Sequence, residues 1–182
     1  MDYDIRIYGD GALRRKAAPV SRVDDEIRQL VEDMLATMRR ANGLGLAAEQ
    51  IGRNEAICVI DVPPDAQVPS EPAAPVSVVP MPLILVNPRI TASSGEQMGP
   101  EGRRSFPDIY ITIKQEARVT AETPDTPNRT QTIPAVGLLA RAIQHELDHL
   151  NGVLLVDHMT SVQKVASAGK LKRMKKTARC AV

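Results

Sequence analysis

The sequence predicts an α+β domain in which short antiparallel strands pack around a central helix carrying an H-E-x-x-H string. Three observations carry this expectation. Residues 24–40 place apolar side chains at helical spacing, and residues 136–151 do so again around two histidines. Short apolar, β-branched runs lie between the two.

The first helix spans 24–40. Ile27, Leu30, Val31, Met34, Leu35 and Met38 share one face, with Asp24, Asp25 and Glu26 in the first turn and Arg39 and Arg40 in the last, so both ends complement the helix dipole. Asn42-Gly43-Leu44-Gly45 then breaks the pattern as a loop. Residues 56–62 and 83–87 read as buried strands. Seven of the 14 prolines fall in 63–82, which marks that segment as a surface loop inserted between two strands. Residues 117–121 and 130–133 read as strands around a turn at 124–128. The second helix covers 136–151, with Leu139, Ile143, Leu147 and Leu150 as its apolar stripe and Asn151-Gly152 as its stop. Residues 153–156 suggest a short strand, and a last helix runs from about 161 to 176 within a basic tail, 160–182.

Composition narrows the function. The 182 residues suit a single domain, 1–182, that folds without disulfides. Lys and Arg total 23 against 22 Asp and Glu, a net charge of +1, and aromatics are 2% of the chain. That leaves neither the charge nor the stacking surface of a dedicated DNA or RNA binder. Only two cysteines occur, Cys58 inside an apolar run and Cys180 near the end, which fits a reducing compartment. The first ten residues have no apolar core of a signal peptide, and no window of 18 apolar residues exists, so a cytoplasmic protein without a membrane span is expected.

The chemistry concentrates in His145-Glu146-Leu147-Asp148-His149. Residues four apart share a helix face, so His145 and His149 can converge on one metal ion. Glu146 is turned about 100° from His145 and can reach a water without being a ligand. His158 lies beyond Gly152 and reads as a surface histidine.

Three ordered blocks resemble those of the peptide deformylase family. Residues 43–50 (GLGLAAEQ) match G-x-G-L-A-A-x-Q, residues 101–107 (EGRRSFP) stand where the family has E-G-C-L-S-x-P, and residues 144–149 (QHELDH) match Q-H-E-x-D-H. The resemblance implies a metallohydrolase that removes the N-formyl group from the initiator methionine of nascent polypeptides. It implies His145 and His149 as ligands of one divalent metal, Fe2+ with Zn2+, Ni2+ or Co2+ as substitutes, and Glu146 as general base and acid. Gln50 and the backbone N–H of Arg104 would donate to the formyl oxygen. Gly43, Leu44, Gly45, Leu46, Leu139 and Ile143 would bind the substrate. The family's third ligand is the cysteine of E-G-C-L-S, and here that position is Arg103. A guanidinium cannot ligate a cation. The resemblance therefore implies either a hydrolase with a rebuilt metal site or a fold kept for binding peptides or the ribosome. The tail (Lys170, Lys172, Arg173, Lys175, Lys176, Arg179) supplies charge for contact with ribosomal RNA.

Overall fold

The computed structural model describes residues 3–67, 78–102, 105–107, 109–126 and 129–180. Two three-stranded antiparallel sheets form its frame. One has the order β1 (Gly45–Ala47), β2 (Ile57–Ile60), β3 (Leu83–Val86); the other has the order β4 (Arg89–Gly102), β5 (Tyr110–Thr126), β6 (Arg129–Val136). Helix α1 (Asp25–Arg40) follows the predicted pattern: Asp24 caps it by accepting the Ile27 N–H at 3.0 Å, and its apolar stripe is buried against Leu46, Ile57 and Val59. Helix α2 (Gly137–Leu150) touches both sheets and carries the H-E-x-x-H string through the centre of the molecule. Leu139, Ala140, Ile143, Leu147 and Leu150 close the main core over Ala47, Cys58, Ile60, Leu85, Val119 and Ile133.

What holds α2 in place is partly a side chain acting as a strand. β6 pairs with β5 only as far as Arg118↔Val136, where the chain leaves for α2 through Gly137 at φ 55°. Past that point Gln144 takes over. Its Oε1 accepts the Glu116 N–H at 3.0 Å and its Nε2 donates to the Glu116 carbonyl at 3.0 Å. The amide thus continues the β5 ladder for one residue pair and ties the helix turn before His145 to the sheet.

Several boundaries differ from the sequence reading. The strands expected at 117–121 and 130–133 belong to a far longer meander, and β1 and β4 were not foreseen. β4 contains Gly95, Gly99, Pro100 and Gly102, yet it is an edge strand with an exposed face, where proline and glycine are tolerated. Residues 153–156 do not form a strand. Asp157 accepts the Leu154 N–H at 2.7 Å and starts the helical turn α3 (Leu155–His158), whose Leu155 and Val156 are buried beside Leu13 and Phe106. Residues 68–77 of the Pro-rich segment lie outside the described residues. Its flanks are joined by Gln67, which donates to the carbonyls of Val62 and Val79 and accepts the Val79 N–H. Helix α4 (Ser161–Cys180) runs past its expected end, and Leu171 and Met174 pack on the third core cluster. No described helix is long and apolar enough to cross a membrane.

Candidate active site

A cavity of about 550 Å³ opens between the Asn42–Gly45 segment, the end of β4 and the outer face of α2. Gly43, Leu44, Gly45, Gln50, His145 and Glu146, all singled out in the sequence, line it together. The two glycines of Gly43-Leu44-Gly45 do different jobs. Gly43 follows Asn42, which takes φ 50° to end the α1 turn, and its N–H caps the Met38 carbonyl at 2.9 Å. Gly45 leaves room for the acid: a Cβ there would fall 2.8 Å from Glu146 Cδ and closer still to Oε1. The Glu146 carboxylate, 3% exposed, is therefore lodged against the backbone of β1.

The histidines lie where one helix turn puts them. Their ring centroids are 5.2 Å apart; His149 is fully buried and His145 faces the cavity. His145 Nδ1 is 2.6 Å from Oε1 of Glu101, itself 3% exposed. A carboxylate at Nδ1 fixes the orientation of the ring. Gln50 is held the same way. Its Oε1 accepts the Ala47 N–H at 2.8 Å, which leaves its –NH2 as the end that can donate to a ligand in the cavity.

A divalent metal calls for more than two imidazoles. The paired rings, with a carboxylate orienting one of them, fit two positions of such a centre. Among the described residues no three His, Cys, Asp or Glu side chains gather to hold an ion. Cys58 does not fill the gap: it is fully buried in the core, and burial pushes its thiol well above the usual range, with Glu146 and Glu49 adding to the effect. Arg103 and Arg104 lie outside the described residues.

Three expected substrate contacts are corrected. Leu139 and Ile143 are 1% and 0% exposed in the main core, and Leu46 is 1% exposed under α1; none lines the cavity. The α2 wall is made instead by Leu138, Arg141 and Ala142. These residues could have been found by stepping back from His145 in threes and fours, since 138, 141, 142 and 145 share a helix face. Glu101, Pro100, Phe106 and Tyr110 complete the lining from β4, β5 and the segment between them. His158 is partly exposed and binds Asp148 Oδ2 through Nε2 at 2.7 Å, outside the cleft.

Glu49 stands where the resembling family often has proline or threonine, a position that suggests the pocket rim, but it does not line the cavity. Glu49 is fully buried beside Gln50, and neither carboxylate oxygen has a hydrogen-bond partner among the described residues. Burial raises its pKa to about 8, its own backbone N–H opposing and the Glu55 charge adding.

Comparison with known proteins gives a consistent answer. Residues 2–165 match the family model described as polypeptide deformylase. Peptide deformylase 1 of Nostoc sp. is 43% identical over 170 residues, covering 91% of this chain and 85% of the relative. The crystal structure of peptide deformylase from Ehrlichia chaffeensis superposes with a TM-score of 0.84 at 31% identity, covering 97% of this chain and 98% of the other. That from Legionella pneumophila gives 0.81 at 34% identity, covering 97% of both.

Proposed function

The chain belongs to the polypeptide deformylase family of metal-dependent hydrolases, and from that premise we propose how its own residues do the work. The carrying observation is the placement of Glu146: a buried carboxylate wedged over Gly45, on one cavity with His145 and the amide of Gln50. The substrate is a nascent polypeptide bearing N-formylmethionine. Its first side chain enters the cavity between Leu44, Leu138 and Ala142. Gln50 donates its –NH2 to the formyl oxygen, and the backbone N–H of Arg104 is the second donor that the family resemblance assigns. Glu146 takes a proton from the attacking water and returns it to the departing amine. His145 and His149 would hold a divalent metal, with Glu101 orienting His145; such an ion polarises a carbonyl and makes water a better nucleophile.

Arg103 supports a second reading. With a guanidinium in the cysteine position, the fold would serve to bind peptides without hydrolysing them. Metal content decides between the two. Protein purified anaerobically and supplied with nickel is assayed for metal per chain and for deformylation of a formyl-methionyl tripeptide. Near-stoichiometric metal with turnover supports the hydrolase. No metal and no turnover, with peptide binding retained, supports the binding protein.

The C-terminal helix supports a ribosomal partner. Lys172, Arg173, Lys175 and Lys176 are exposed on α4, while Leu171 and Met174 fasten the helix to the body. Phosphate contact would make co-sedimentation with ribosomes fall steeply with salt. Binding indifferent to salt, or absent at low salt, would count against it. A nascent-chain substrate and ribosomal contact would be met in the cytoplasm, the compartment this reading favours.

A further inference from the structure

The wall that α2 offers the cavity is not wholly apolar. Arg141 stands one helix turn before His145 on the same face, between Leu138 and Ala142. Its guanidinium rests on Gly99 of β4, where a Cβ would lie 2.5 Å from Cζ and nearer to both terminal nitrogens, and Nη1 donates to the Pro100 carbonyl at 3.2 Å. The Nε–H is buried and has no acceptor among the described residues. Arg141 is the one lysine or arginine among the described residues that line the cavity. The cavity wall thus carries a permanent cation between two aliphatic side chains, with one of its donors unmet.

The geometry points to Arg141 as a specificity-determining residue that reads a hydrogen-bond acceptor at the end of the substrate's first side chain. This rests on the reading that the cavity takes that side chain. Methionine carries a weak acceptor, its thioether sulfur; norleucine has nearly the same shape and none. Methionine sulfoxide carries a strong acceptor oxygen. A wall of aliphatic side chains ranks norleucine level with methionine and rejects the sulfoxide. A wall with this guanidinium ranks the sulfoxide first, methionine second and norleucine last, because a site built around a donor penalises the ligand that leaves it unmet.

The test uses the full chain and three unformylated tripeptides, X-Ala-Ser, with methionine, norleucine or methionine sulfoxide as X. Calorimetric binding needs no turnover. The formylated counterparts are assayed in parallel. In the wild type the sulfoxide peptide should bind about tenfold tighter than the norleucine peptide, the size of a charge-assisted hydrogen bond. Arg141→Met keeps the length and removes the donors, and it should reverse that order while changing norleucine binding by less than about twofold. An unchanged order in Arg141→Met overturns the inference. So does an equal loss for all three peptides, which would mean that Arg141 only ties α2 to β4. Ordered binding without hydrolysis of the formylated peptides would leave the inference standing and refute the proposed hydrolase. Hydrolysis that treats norleucine like methionine and rejects the sulfoxide would do the opposite. Failure of every peptide to bind would overturn both.

Discussion

Glu49 gives the sharpest test of how the site region is built. It is fully buried, its oxygens have no hydrogen-bond partner among the described residues, and its pKa is about 8 against an ordinary value of 4.5. The unfolded chain therefore loses its proton near pH 4.5, while the native protein keeps it until about pH 8. Below pH 4.5 both states are protonated and Glu49 imposes no ionisation penalty. Between the two values folding takes up a proton, so stability falls as pH rises, by about 1.4 kcal/mol per unit. Across the whole window the loss is on the order of 5 kcal/mol, and at pH 7 about 3 kcal/mol of it is already present. Glu49→Gln removes the titration and keeps the shape. Urea unfolding followed by circular dichroism, at pH 5.5, 6.5 and 7.5, measures both proteins. The stability of the variant relative to wild type should climb by about 1.4 kcal/mol for each pH unit. The absolute offset depends on how the buried amide is accommodated, but the slope does not. Parallel pH profiles would refute the reasoning, because they would mean that Glu49 is ionised in the folded protein at neutral pH.

Other expectations follow from single contacts. Gly45→Ala should cost at least about a hundredfold in deformylation, as expected when a catalytic acid-base group is displaced, with the circular dichroism spectrum unchanged; undiminished turnover would show that Glu146 does not depend on the space over Gly45. Gln144→Ala removes both hydrogen bonds to Glu116 and should lower stability by about 2 kcal/mol, read from the urea midpoint, with hydrogen exchange at Glu116 accelerated. Asp24→Ala should cost about 1 kcal/mol through the lost α1 cap, with no change in peptide binding. Arg103→Cys combined with Arg104→Leu should raise metal content toward one per chain and increase turnover. No gain in metal would indicate that the two histidines are not disposed to share an ion.

Much of the fold was legible because its signals are local. The stripe and charged ends of α1 appear in the structure within a residue of their expected limits, and α2 likewise. The long meander was not legible. Val119, Ala121, Ile133 and Ala135 are buried at alternate positions and give a clear strand signal, but Arg89–Gly102 offers few buried side chains, three glycines and a proline. Its pairing with β5 is carried by backbone hydrogen bonds along an edge, and backbone bonds have no side-chain signature. The turn at Leu155–His158 was mistaken for a strand for a related reason. Four apolar residues in a row are compatible with either state, and what decided between them was one carboxylate, Asp157, three residues along the chain.

The cavity wall differs from the sequence expectation because one helix face cannot serve two purposes. Leu139, Ile143, Leu147 and Leu150 form the core stripe, so Leu139 and Ile143 are not free to line the cavity as well. A helix through the centre of a two-sheet fold has to show different faces to the core and to the cleft. Glu146 lies nearer the stripe that includes Ile143 and Leu147, while His145 lies on the face of Leu138, Arg141 and Ala142. Glu146 and His145 sit on the seam between them: the Glu146 carboxylate is pushed against β1 at Gly45, and His145 lines the cavity. The cleft face also holds the only arginine of α2, tucked over Gly99. Gly45 and Gly99 are each cleared of a side chain where a group from α2 lies against a strand, Glu146 at the first and Arg141 at the second. Both Glu146 and Arg141 line the cavity, and the roles proposed for them are those of the acid–base group and of the side-chain reader.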